Sequence, residues 1–175
     1  MEETASILTV REIEFKDIEL IADYWLKSDP DFLVMMGVDL SEVPSREQIT
    51  EMLTAQIDTP LAKKSSYALI WELNREQIGH TNVNNIAYGV EATLHLHLWN
   101  SDNRQRGMGA DLVQKSIPVF FENLKLGKLI CEPYSLNAAP NKTLEKVGFE
   151  FIKKYTTKPG TLNFEQEVNR WEMTL

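Results

Sequence analysis

The chain has a single cysteine, Cys131, among its 175 residues. One thiol excludes an internal disulfide framework and a zinc site built from cysteines alone. Cys131 sits in an apolar stretch, where a buried, inert thiol is the ordinary outcome and a nucleophile the exception. No apolar run approaches the ~18 residues that span a bilayer, so no membrane partner is expected. The start Met1-Glu2-Glu3 lacks the basic-then-apolar pattern of a secretory leader. Positive charge is not in excess either: 26 acidic against 18 basic residues leave a net charge of −8. That balance disfavours nucleic acid as a partner. It suits a cationic acceptor such as an amine, and it serves solubility equally well. Internal repeats, low-complexity tracts and linkers are absent, so residues 1–175 read as one domain of a soluble, cytoplasmic protein.

What is present is an ordered alternation of elements. Residues 6–12 form a β-branched run and read as a strand. Asp17 can cap a helix in which Ile18, Ile21, Ala22, Trp25 and Leu26 recur at helical spacing, and Asp29-Pro30 stops it. Phe32, Leu33, Val34, Met35, Met36 and Val38 follow without a clean period. They read as a packed satellite cluster or as the lining of a substrate pocket. Ser45 with Gln48 makes a capping box for a helix that turns Ile49, Met52, Leu53 and Ile57 inward. Residues 66–72, 77–86 and 91–99 then form a meander of three strands. In the third of these, Leu94, Leu96 and Leu98 point one way, and Thr93, His95, His97 and Trp99 the other. A helix with Leu112, Val113, Ile117, Phe120, Phe121 and Leu124 on one face follows, with Pro118 expected to kink or divide it. Strands over 128–131, from Phe149 and over 168–174 enclose a last helix that begins near Asn137 and ends at Gly148.

Between the 91–99 strand and the next helix stands Arg104-Gln105-Arg106-Gly107-Met108-Gly109-Ala110. A glycine-rich turn entering a helix N-terminus offers unpaired N–H groups and the positive end of the dipole to an anion. Gly107 and Gly109 let the main chain come close to a phosphate, and Arg104 and Arg106 stand beside it. A P-loop would close on Gly-Lys-Ser/Thr, and a dinucleotide fingerprint needs a third glycine where this chain has Leu112. What remains is Arg/Gln-x-x-Gly-x-Gly/Ala, which a bland strand-to-helix turn can also satisfy. Downstream, Asn137-Ala138-Ala139-Pro140-Asn141-Lys142-Thr143-Leu144-Glu145-Lys146-Val147-Gly148-Phe149 places an Asn at a helix start and Glu-Lys-x-Gly-Phe at its end.

Both blocks, in this order and spacing, resemble those of the GNAT N-acetyltransferase superfamily. The Pro159–Asn163 loop and the Val168–Met173 strand are similar to its ribosomal-protein N-terminal acetyltransferase branch. The resemblance covers nearly the whole chain and thins over residues 29–64. It implies an α/β (α+β) fold: a mixed, mostly antiparallel seven-stranded sheet with helices on both faces, splayed between its fourth and fifth strands. Acetyl-CoA would wedge into that splay as cosubstrate, with no metal. Main-chain groups of Leu98 and Trp99 would contact its arm, and Arg104, Arg106, Gly107, Met108, Gly109 and Ala110 would hold its pyrophosphate. Asn137 and Asn141 would steady the bordering helix; an ordinary N-cap also explains an Asn there.

Acetyl transfer to a primary amine needs a neutral nucleophile. His95, His97 and, at the strand's start, Glu91 share a face by period two and are the candidate bases; a packed pair of sheet histidines is the alternative. Two histidines without a third ligand make a weak metal site, and His80 reads as structural. Many members of the family carry a tyrosine acid where this chain has Leu144, and in one branch a serine stands where this chain has Pro140. Tyr134 is the candidate substitute. The missing acids leave a non-catalytic CoA-binding module as the alternative function. The acceptor, a protein N-terminus or a small amine, stays open. The last strand offers an edge on which a second subunit can pair.

Overall fold

The computed structural model describes residues 5–104 and 107–175. The chain runs β1 (Leu8–Glu12), α1 (Ile18–Lys27), α2 (Pro30–Met35), α3 (Arg46–Asp58), β2 (Ser66–Leu73), β3 (Glu76–Ala87), β4 (Glu91–Leu98), α4 (Ser101–Arg104), α5 (Met108–Leu124), β5 (Lys128–Cys131), α6 (Ala138–Val147), β6 (Glu150–Thr157) and β7 (Gln166–Thr174). All seven strands join one sheet in the order β1-β2-β3-β4-β5-β7-β6. Neighbours are antiparallel except β4 and β5, which run parallel. This is the expected α/β architecture.

The hairpin between β2 and β3 turns on Asn74 and Arg75, with φ of 51° and 71°. Both are left-handed, as a two-residue turn matched to strand twist requires. β2 is the centre of the core because both of its faces are covered. Tyr67 and Leu69 pack with Phe120 and Leu124 of α5, and Trp71 packs with Leu112 and Val113. Ala68 and Ile70 on the opposite face meet Ile21, Trp25 and Leu53 of α1 and α3. Each large apolar side chain so enclosed stabilises the fold by ~1.5–3 kcal/mol relative to exposure. Trp71 keeps its one polar atom satisfied, its Nε1 donating to Ser116 Oγ at 2.9 Å.

Several local expectations need correction. Pro118 does not divide α5, which runs as one helix from Met108 to Leu124; the proline removes one bond, to the Gln114 carbonyl, and the apolar face of the helix outweighs that loss. Asp17 stands at the start of α1 without capping it by its side chain. Its carboxylate is fully buried and accepts from Arg11 at 2.7 and 2.8 Å and from the Glu14 N–H at 2.8 Å. Met52 is not packed inward but 59% exposed. β7 lies between β5 and β6, so the last strand has no edge for a second subunit; the open edge at that end belongs to β6. The Ser45–Gln48 capping box and the left-handed Gly148 that ends α6 are as expected.

The splay follows from the register. β4 and β5 pair only at Glu91↔Lys128, Ala92↔Leu129 and Thr93↔Ile130. Beyond Thr93 the two strands part, while β4 stays paired with β3 as far as Leu98. Trp99 N–H bonds the Ile78 carbonyl. By the alternation of an antiparallel ladder, the main-chain groups of Leu96 and Leu98 therefore point away from β3, into the gap.

Candidate active site

Two cavities meet at this gap. The smaller, about 230 Å³, lies between the open half of β4, the glycine turn and α6. Leu96, Leu98, Gly107, Gly109, Ala110, Lys142 and Lys146 line it. The larger, about 430 Å³, lies on the other side of β4 under α1 and α3. His97, Leu96, Met36, Asn137 and Pro140 line both. His97 thus stands where a group held in one cavity would meet a group held in the other.

The glycine turn is built for close approach. Gly107 has φ +72°, and a Cβ added there would meet nothing within 4 Å, so backbone conformation rather than crowding calls for glycine. Gly109 faces Thr143 of α6, whose Oγ1 lies 3.7 Å from where a Cβ would sit. Ala110 lines the smaller cavity, whereas the Met108 side chain turns into the core beside Trp71. Arg106 lies outside the described residues. Arg104 lines the cavity, but its guanidinium bends back: Nε donates to the Leu98 carbonyl at 3.0 Å and Nη2 to the Trp99 carbonyl at 3.2 Å. It also stacks over the Phe32 ring at 3.5 Å. Both main-chain groups of Trp99 and the carbonyl of Leu98 are thus engaged within the protein, and Leu96 with the Leu98 N–H offers the free edge. Lys142 and Lys146, one helical turn apart on α6, supply cations that the motif reading passed over.

On the other face of β4 the histidines form a stacked, uncharged cluster. His80 and His97 are cross-strand partners, with rings 4.7 Å apart at 23°. A Cβ at Gly79 would run into the His97 carbonyl, so glycine permits this close strand approach. Trp99 Nε1 donates to His80 Nδ1 at 2.7 Å. An indole only donates, so the His80 proton sits on Nε2. Tyr24, buried in α1, places its hydroxyl 3.0 Å from His97 Nδ1 and 3.4 Å from Met36 Sδ. His95 Nε2 lies 2.9 Å from Asn84 Oδ1. Burial lowers the His80 pKa to about 3 and that of His95 to about 4. His97 is held well below the ordinary range, by burial first and by its imidazole neighbours second. All three are neutral at physiological pH. Burial likewise raises the Tyr24 pKa and keeps the phenol protonated.

The other candidates separate. Glu91 sits at the closed end, where β4 still pairs with β5, and lines neither cavity. Tyr134 lines the larger cavity, edge-on to Phe164 at 5.6 Å. Asn137 caps α6 by position, without a side-chain cap bond, and borders both cavities. Asn141 steadies the helix without reaching either. Its Nδ2 donates to the Asn137 carbonyl at 2.8 Å, and its Oδ1 accepts from Asn169 and Trp171 at 2.9 Å each. Leu144 is fully buried. Cys131 is buried too, and burial pushes its thiol up to about 12, as expected for an inert cysteine. Within residues 31–44 the two readings divide: Leu33 packs, Phe32 and Met36 line cavities, and Val38 does both.

A family model described as an acetyltransferase (GNAT) domain matches residues 8–150. No curated protein sequence matches the chain. Among solved structures, the chain is similar to RimL, a ribosomal-protein alpha-N acetyltransferase solved with coenzyme A: TM-score 0.76, 15% identity, 96% of this chain and 94% of that one covered. It is similar to a spermidine N-acetyltransferase from Vibrio cholerae solved with CoA and spermine: TM-score 0.77, 17% identity, 95% of each chain. An aminoglycoside acetyltransferase solved with coenzyme A gives TM-score 0.73 at 19% identity, covering 96% of this chain and 95% of that one.

Proposed function

The chain belongs to the GNAT acetyltransferase family, and from that premise we propose that it moves the acetyl group of acetyl-CoA directly to a primary amine, with the transfer centred on His97. The observation that carries this is the cavity junction: His97 lines both the cleft beside the glycine turn and the larger cavity under α1 and α3.

The residues present fit acetyl-CoA. The main-chain groups of Leu96 and the N–H of Leu98 suit an extended amide-bearing arm, as one more strand would pair. The N–H groups from Gly107 to Ala110 at the start of α5 suit the pyrophosphate, with Lys142 and Lys146 adding positive charge. When bound, acetyl-CoA supplies an activated acetyl group on sulfur. The chain's part is to hold the amine and move its proton. An amine nitrogen that has begun to bond carbon is far more acidic than a free ammonium, so a weakly basic imidazole is enough to take that proton. His97 Nε2 takes it. Nδ1 releases its own proton to the Tyr24 oxygen, and Tyr24 delivers the hydroxyl proton into the cleft. In this reading Tyr24 replaces the acids missing at Leu144 and Pro140, and His95, Asn137 and Tyr134 shape the acceptor side. Direct transfer is supported by Cys131, whose raised pKa leaves no ready thiolate to carry the acetyl group. We place the reaction in the cytoplasm, a reading that rests on the sequence.

Calorimetric titration with acetyl-CoA tests the cleft. The protein binds it, and Gly107→Val loses at least ~10-fold in affinity, because a β-branched residue disfavours the left-handed backbone there. Equal affinity in the variant would refute the assignment.

A further inference from the structure

The proposed reaction leaves the acceptor unnamed, and the inference here rests on that reading and narrows it. We infer that the larger cavity takes a singly charged primary amine carried on an apolar body, rather than a polyamine or an aminoglycoside.

The cavity wall carries the argument. Ile21, Trp25, Val38, Ile49 and Leu53 give it an apolar side. Its histidines, His80, His95 and His97, are held neutral by burial. Among the described residues that line it, only Glu42 and Glu132 carry charge. Glu132 is already committed: Tyr155 donates to it, and Arg170 Nη1 lies 3.6 Å from its Oε1. Glu42 is exposed and stands at the rim. Some of the cavity's polar side chains are spent as well. Gln56 holds Ser66 Oγ at 2.5 Å and the Ala68 N–H at 3.0 Å, and Asn84 holds His95.

One amino group can be accommodated here because it need not stay charged. It enters as the neutral amine, leaving its ammonium proton to solvent. The second proton, acidified once the nitrogen bonds carbon, leaves through His97 as the nitrogen becomes a neutral amide. A second or third ammonium would keep its charge. Away from Glu42 at the rim it would be stripped of water with no free carboxylate to pair with, an arrangement that costs more than an apolar contact returns. The acidic residues that give the chain its −8 charge do not gather on this wall. The volume, about 430 Å³, lies within the ~300–1,000 Å³ typical of small-ligand pockets.

The test is acetyl-CoA turnover by the intact protein, read as released CoA thiol, with three acceptors: 2-phenylethylamine, a tetrapeptide amide beginning with leucine, and spermidine. The expected result is a kcat/KM at least ~30-fold higher for one of the apolar monoamines than for spermidine, the scale on which a well-fitted apolar group discriminates. The small amine leading marks a free metabolite as the source, and the peptide leading marks a protein N-terminus. Spermidine equal to or better than both overturns the inference. Release from none of the three also overturns it. Calorimetry then separates the causes: retained acetyl-CoA binding places the fault in the acceptor class, and lost binding places it in the transferase reading. Met52, 59% exposed and lining the cavity, allows a second check without disturbing the core. Met52→Glu should cut the monoamine-to-spermidine ratio by about threefold, the effect of one partly exposed ion pair. An unchanged ratio would put the amine elsewhere.

Discussion

Titrating stability between pH 8 and pH 5 probes the histidine cluster without any substrate. His80 and His95 are held near 3 and 4, and His97 well below its ordinary value, whereas an unfolded-chain histidine titrates near ~6.5. The folded state therefore binds fewer protons than the unfolded state throughout this window. Stability is full above the unfolded pKa and is lost as pH falls through it. For one imidazole with a folded pKa below 5, the loss between pH 8 and pH 5 is about 2 kcal/mol, whatever the exact folded value. His80 gives about 2 kcal/mol, His95, open to the cavity, adds up to about 2 more, and His97, lowered by burial, adds in the same direction. That is a large part of the ~5–15 kcal/mol of a typical domain. His80 resists charging for a second reason: a proton on Nδ1 would displace the Trp99 indole, 2.7 Å away. The window is clean because Asp17 works at lower pH. Burial pushes its carboxyl up, but Arg11 and the Glu14 N–H outweigh that and leave it lowered, so its contribution is present above ~4 and lost only below. Urea unfolding at pH 8, 7, 6 and 5 measures the slope. His80→Gln, which keeps an acceptor for Trp99, should reduce the loss by about 2 kcal/mol. A flat profile, or a His80→Gln slope equal to that of the native protein, would refute neutral burial.

Three further outcomes follow from the same geometry. Tyr24→Phe should lower kcat by ~10- to 100-fold, as loss of a proton-transfer partner does, with acetyl-CoA affinity unchanged by calorimetry; an unchanged kcat would remove Tyr24 from the reaction. Asp17→Ala strands Arg11 beside Glu72 alone and should cost about 3 kcal/mol in urea unfolding, since it breaks a buried pair from one side; a cost below about 1 kcal/mol would show the pair to be idle. Leu144→Tyr should not raise turnover. Leu144 is fully buried, so the larger ring should cost about 1–3 kcal/mol of stability instead, and faster CoA release in this variant would contradict that placement.

The sheet was legible in the sequence because its signals are local. Alternation along residues 91–98, the Ser45–Gln48 box and the glycine after α6 each determine structure within a few residues. The splay was legible only through the resemblance. Nothing in Lys128–Cys131 announces that β5 leaves β4 after three paired positions. What escaped the sequence is what long-range packing decides. Tyr24 looks like one more residue of an amphipathic helix until α1 lays it against His97, 73 positions away. Arg104 reads as an anion ligand until its guanidinium is found on the carbonyls of Leu98 and Trp99. The histidine pair was found by period two, but burial decided its charge state, which required the full set of neighbours. Lys142 and Lys146 could have been found from their i, i+4 spacing beside the second motif.

The most direct test of the central claim is product analysis after a single turnover of the purified protein with acetyl-CoA and a primary amine. Direct transfer predicts CoA thiol and N-acetylated amine in equal amounts, with no acetyl group left on the protein, at Cys131 or elsewhere. Acetate in place of acetylated amine, or an acetylated protein formed before the amine is added, would contradict it.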